Sequence, residues 1–186
     1  QDAHDLEAWR GPCGYDTRHR FAGNFIVEVP LARNATGVTD AVLGDWMLSG
    51  IYAARSGRPF TATQGNNNVG PYHNGLPNQT GDGEGPKTVD KWFETTDFVA
   101  VPSGTFGNAG RNNLRGPNWQ SLDMSLSKRF NTGRSSNLTF RWDVFNVFNT
   151  VNLGLPNADI SSASVGTISQ LAGDARVMQF SLRLGF

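Results

Sequence analysis

Four side chains in the run AGRNNLRGP (109–117), Arg111, Asn112, Asn113 and Arg115, are the best equipped in the sequence to grip a ligand. Two guanidiniums and two carboxamides so close together form a dense array of donors, suited to a phosphate or to another polar substrate. The same run is framed by Gly110, Gly116 and Pro117, residue types that fix a backbone where a loop enters a strand. Ligand contact and plain packing are therefore both open for this segment. A second polar group, Asp16, Arg18, His19 and Arg20, fits a network of charged pairs at the edge of a structure or, for Arg18 and His19, ligand contact. Catalysis would need a nucleophile, a base and an orienting group brought to contact distance, and no spacing announces such a set. The expectation is a protein that is not an enzyme and holds no cofactor.

Metal chemistry is equally thin. Asp82-Gly83-Glu84 sits in a glycine-rich stretch but lacks the oxygen-ligand spacing of a calcium loop. His4, His19 and His73 are dispersed, and the single cysteine, Cys13, excludes an intrachain disulfide and a four-cysteine zinc site within this sequence. Trp46, Trp119 and Trp142 could stack against a sugar ring, although an aromatic girdle at a membrane interface explains the same three residues.

Composition bounds what must position these groups. Sixteen basic and sixteen acidic residues balance over 186 residues, so there is no general attraction to nucleic acid, and no nucleic-acid partner is expected. Only 38% of residues are hydrophobic and 17% charged, whereas glycine and proline number 22 and 9. Strands joined by polar loops fit these values better than a helical domain does. No apolar run is long enough for a transmembrane helix, but a transmembrane strand needs only alternation over about ten residues.

That alternation occurs over 20–30, 45–55, 119–130, 137–148 and 176–186. Leu122, Met124, Leu126, Lys128 and Phe130 oppose Ser121, Asp123, Ser125 and Ser127; Leu138, Phe140, Trp142 and Val144 oppose Thr139, Arg141 and Asp143. In the last segment Met178, Phe180, Leu182, Leu184 and Phe186 oppose Gln179, Ser181 and Arg183. The connections 31–44 and 131–136 are short, and the loops 56–118 and 149–175 are long. In an up-and-down antiparallel sheet this parity places both short turns at one end and both long loops at the other, the pattern of an outer-membrane barrel. Most of 56–118 reads as irregular, with a short strand or an ordered anchor near 92–101. A soluble β-sandwich shows similar alternation, so a glycan-binding sandwich remains an alternative.

The segments DTRHRFAGNF (16–25), SGRPFTA (56–62), GTFGNAGRNNLRGPNWQSLDMSLSKRF (104–130), FRWDVFNVFNTVNLGLPN (140–157) and QFSLRLGF (179–186) resemble the C-terminal part of TonB-dependent outer-membrane receptors. More narrowly, they are similar to the Oar-like branch, whose members often carry an N-terminal carboxypeptidase-regulatory-like domain. The resemblance implies an all-β fold, an antiparallel up-and-down transmembrane β-barrel segment contributing strands to a barrel of about twenty-two. It implies a C-terminus toward the periplasm, extracellular long loops, and uptake of a large or scarce solute. The implied partners are the rest of the barrel and its plug, the TonB complex through an N-terminal part not contained in this sequence, lipid, and an unknown large ligand. Phe180, Leu182, Leu184 and Phe186 resemble the signal read by the outer-membrane assembly machinery. Five strands cannot close a barrel, so the expectation is a fragment, a cut domain or one member of a multi-chain barrel. An outer-membrane structural, adhesive or secretion-related role is the alternative within this family.

Overall fold

A computed structural model describes residues 5–7, 10–30, 37–65, 75–131 and 136–186. His4, His73, nearly all of the glycine-asparagine run 65–75 and the tip of the turn 131–136 lie outside the described residues.

Nine strands are present among the described residues: β1 (Arg20–Val29), β2 (Trp46–Arg55), β3 (Pro59–Phe60), β4 (Asn78–Gln79), β5 (Phe98–Val99), β6 (Leu114–Arg115), β7 (Trp119–Asn131), β8 (Asn137–Phe145) and β9 (Val177–Gly185). The long ones form one five-stranded sheet in the order β1-β2-β7-β8-β9. The connection 31–44, expected to be only a turn, contains the six-residue helix α1 (Val38–Leu43). Strand β8 stops at Phe145, earlier than the expected 148, because Asn146 has a left-handed φ of 52° that cannot continue a ladder.

The chain divides into two compact units. The sheet unit comprises Arg20–Ala54, Gln120–Val151 and Asp174–Phe186. Its register shows why the sequence alternates. Leu126, Trp142 and Phe180 align across β7, β8 and β9, as do Lys128, Phe140 and Leu182, and Phe130, Leu138 and Leu184. One residue along, Ser125–Asp143–Gln179, Ser127–Arg141–Ser181 and Arg129–Thr139–Arg183 form the opposite face. Aromatic contacts tie the apolar face together: Trp142 stacks on Phe180 at 5.7 Å, and Trp46 meets Phe140 edge-on at 6.2 Å. Yet Phe180 and Leu182 stay 66% and 70% exposed, more apolar surface than water tolerates on a well-packed sheet.

The loop unit comprises Gln1–His19, Arg55–Trp119 and Asn152–Gly173. The sequence read most of this as irregular, whereas the structure gives it a core of its own. Phe60, Ala62, Leu76, Phe93, Phe98, Ala109 and Leu114 are buried together, with Trp92, Ala158, Ile160 and Val165 against them. Phe93, fully buried, meets Phe60 and Phe98 edge-on with ring centres 5.6 Å away in each case. The segment near 92–101, expected to be a short strand or an ordered anchor, is a single 3-10 turn (Thr95–Asp97) followed by β5, which pairs with β4. Side-chain amides extend these short ladders. Gln64 donates to the Val101 carbonyl and accepts from its N–H, both at 2.8 Å, while Asn108 accepts from Gln79 N–H at 2.6 Å. At Gly107 a Cβ would lie 2.1 Å from the Leu76 carbonyl oxygen, so only glycine allows the backbones to approach there.

Replacing Phe93 with alanine removes the ring at the centre of this cluster and should destabilise the loop unit by about 3–5 kcal/mol. Hydrogen exchange by mass spectrometry should show lost protection in 58–64, 76–80 and 91–101 while β7, β8 and β9 keep theirs.

Candidate functional site

The segment holding the predicted contact residues folds as an internal clamp of the loop unit. β6 pairs antiparallel with β3, placing Arg115 opposite Pro59 and Leu114 opposite Phe60. Each polar side chain then reaches a different part of the chain. Arg115 donates through Nη2 to Asp16 Oδ2 at 2.6 Å, a half-buried ion pair, and its carbonyl accepts from Trp92 Nε1 at 2.8 Å. Asn112 donates through Nδ2 to the Pro12 carbonyl at 2.6 Å, and its N–H donates to Thr61 Oγ1 at 2.8 Å. Asn113 donates to Gln79 Oε1 at 2.6 Å. Asn112 adopts φ 54°, a left-handed conformation that asparagine accepts better than most residues.

Asn112, Asn113 and Arg115 are thus brought together as a fastening for residues 12–16, 61 and 79. His19 joins the same unit through its backbone: its N–H donates to Ser56 Oγ at 3.1 Å and its carbonyl accepts from Ser56 N–H at 2.9 Å. Arg18 and Arg111 are exposed, and their side chains have no polar partner among the described residues. The predicted contact residues therefore separate into structural ties and two free surface cations, rather than one shared pocket.

Other sequence candidates resolve similarly. Asp82 Oδ1 accepts from Glu84 N–H at 2.8 Å and Glu84 pairs with Lys87 at 2.8 Å, so this acidic pair serves local turn geometry. No group of three or more metal-ligating side chains occurs among the described residues. Cys13 is exposed. Trp46 and Trp142 join the apolar face through their ring contacts with Phe140 and Phe180. Trp119 opens β7 and is grouped with the loop unit, where the Arg55 guanidinium lies 5.2 Å from its ring centre. Within β9, Phe180, Leu182 and Leu184 form an exposed row, and Phe186 follows fully exposed.

The sequence also gave no hint of Glu94. It caps the 3-10 turn, accepting from Thr96 N–H and Thr96 Oγ1, and both its oxygens receive Lys91 Nζ at 2.6 and 2.7 Å. The Lys91 hydrogen bonds, followed by those from Thr96, lower its pKa from 4.5 to about 2. An i, i+3 Lys–Glu pair outside a helix has no periodic signal to reveal it.

A family model described as an outer membrane beta barrel domain matches residues 1–179. No curated protein and no solved structure is matched by this chain.

Two measurements probe these ties. A double-mutant cycle over Asp16→Asn and Arg115→Met should return a coupling of about 1 kcal/mol, because the pair is half-buried and charge-assisted. An additive cycle would show that the fastening lies elsewhere. For Glu94, the folded pKa is depressed, so its contribution is complete above pH 4.5 and is lost as pH falls toward about 2. The stability advantage of wild type over Glu94→Gln should be constant above pH 5.5 and vanish near pH 2. The Glu94 carboxyl carbon, followed by NMR, should titrate with a midpoint near 2 rather than 4.5.

Proposed function

The chain belongs to the outer membrane beta barrel domain family, and on that premise we propose that it serves as barrel wall and ligand-facing surface of a TonB-dependent receptor for a large or scarce solute. The membrane part follows from the family and from the two-faced sheet: an exposed aliphatic and aromatic face suits lipid, and Arg141, Asp143, Arg129 and Arg183 suit a polar interior. The observation that carries the uptake reading is the loop unit. Slack connections would suffice to close a barrel, yet here the segments 55–119 and 152–173 bury a hydrophobic cluster and fasten the segment 10–19. A rigid surface of this kind reduces the ordering cost of capturing a dilute solute. The long sequence resemblance to Oar-like TonB-dependent receptors supports the same reading.

In this reading the long connections face the cell exterior and β9 ends toward the periplasm. Phe180, Leu182, Leu184 and Phe186 then form the row that the assembly machinery engages, and energy for uptake comes from the TonB complex acting on a plug. No catalytic step is assigned to any residue of the chain.

Whole-cell labelling separates the two orientations. A membrane-impermeant maleimide should label Cys13 on intact cells, whereas Asn131→Cys in a Cys13→Ser background should react only after the outer membrane is opened. Transport itself should disappear when the proton-motive force is collapsed. Surface labelling that follows this pattern without any energy-dependent uptake would favour a structural or adhesive role.

A further inference from the structure

The loop unit contains a cleft of about 290 Å³ whose walls include Arg55, Ser56, Arg58, Trp119, Leu155 and Gln170. Its lining holds two arginines and no carboxylate. The Arg55 guanidinium lies 5.2 Å from the Trp119 ring centre, and the side chain makes no hydrogen bond or ion pair among the described residues. A guanidinium held over an indole face by cation–π attraction keeps its N–H donors available. Arg58 spends Nε and Nη2 on the Gly14 carbonyl, in long contacts of 3.4 and 3.3 Å, and keeps Nη1. Leu155, 43% exposed, adds an apolar wall, and Gln170 adds a polar end.

The backbone around the cleft is already tied. Gly57 N–H donates to Asn118 Oδ1 at 3.0 Å, Gly116 N–H to the Arg58 carbonyl at 2.9 Å, and Gly154 N–H to the Gln170 carbonyl at 2.8 Å. At Gly57 a Cβ would fall 1.8 Å from the Gly116 carbonyl oxygen, so this approach is closed to any larger residue. Two cations over a fixed frame, with no carboxylate in the lining and no anionic partner among the described residues, are suited to receive an oxyanion.

We propose that this cleft binds a small organic anion, a carboxylate or phosphate carried on a compact ring or branched body. Arg55 receives the oxyanion through its N–H rim, and Arg58 adds a second charge. Leu155 packs the body, and Ser56 and Gln170 bond its polar substituents. The volume lies near the small end of ligand sites, roughly 300–1,000 Å³, which suits one sugar or amino-acid unit, free or terminal on a larger solute. Binding here is an equilibrium property of the folded loop unit and does not depend on uptake.

Calorimetric titration of the detergent-solubilised full chain tests this with galacturonate, glucose 1-phosphate, inorganic phosphate and galactose. Galacturonate or glucose 1-phosphate should bind at least about tenfold more tightly than both neutral galactose and bare phosphate, since charge and body each contribute. Which of the two anions is preferred identifies the oxyanion. Arg55→Lys keeps the charge but loses the fork and should weaken binding about tenfold, with Arg55→Ala weaker still and Arg10→Gln unchanged. Hydrogen exchange on each variant verifies that the loop unit is folded. The proposal is overturned if galactose binds as well as galacturonate, if bare phosphate binds as well as glucose 1-phosphate, if folded Arg55 variants retain full affinity, or if neither organic anion binds the wild type.

Discussion

A strand in hydrocarbon can leave no peptide group unpaired and can show lipid only one of its faces, and the sheet unit follows from these two demands. Period-two alternation meets the second, and full ladders meet the first. Strand β8 shows both, paired with β7 on one side and with β9 on the other over most of its length. A slip of one residue would carry Arg141 and Asp143 onto the lipid face and bring Phe140 and Trp142 inside, so the register is held by the cost of misplacing charge. Arg141 and Asp143, paired at 2.9 Å on the polar face, reduce each other's charge there. β1 and β9 each have one sheet neighbour among the described residues. In the barrel of this family their outer edges must be paired as well, for the same reason.

Within the loop unit a different force does the same organising work. Its ladders are only two residues long, too short to hold a register. Buried rings and amide side chains take over: Phe93 at the centre, Gln64 and Asn108 as surrogate strand partners. The sheet uses the same device where a ladder must stop. Asn146 donates to the Thr150 and Asp174 carbonyls at 3.0 and 2.9 Å, and Asn149 accepts from Arg176 N–H at 2.9 Å. Both asparagines have φ 52°, so the FNVFN run turns the chain and ties the end of β8 to the approach of β9.

This contrast explains what could be read from the sequence. The long strands announce themselves because lipid and interior impose a local, repeated pattern on neighbouring residues. Leu138, Phe140, Trp142 and Val144 needed no partner to be legible. Phe93, Phe60 and Leu76 were not legible, because their meeting depends on contacts far apart in the chain and on no period. Asn112 and Arg115 were visible as chemically capable, but their partners Pro12 and Asp16 lie about a hundred residues away, so ligand contact and fastening could not be told apart. The cleft beside Trp119 was hidden for the same reason: Arg55 and Trp119 belong to different sequence motifs and meet only on folding.

One residue breaks the facing rule and so reveals how the rule is bounded. Lys128 shares the apolar row with Leu126 and Phe130, and it is only 2% exposed. An ammonium buried without partners would cost several kcal/mol. Its stem suits an apolar face, however, and its head donates to the Gly44 carbonyl just beyond α1. The same head lies 5.6 Å from the Trp46 ring centre and 5.1 Å from that of Phe130. Each ring contributes about 0.5–2 kcal/mol of cation–π attraction, and the carbonyl supplies the directed bond. Lys128 sits three residues before the end of β7, toward the short-turn end of the sheet. A lysine there can reach out of hydrocarbon along its own length, which the same residue at mid-strand could not. Trp46, Lys128 and Phe130 thus form a cation-and-aromatic cluster in which a charge is tolerated on the apolar face because its head is bonded and flanked by rings.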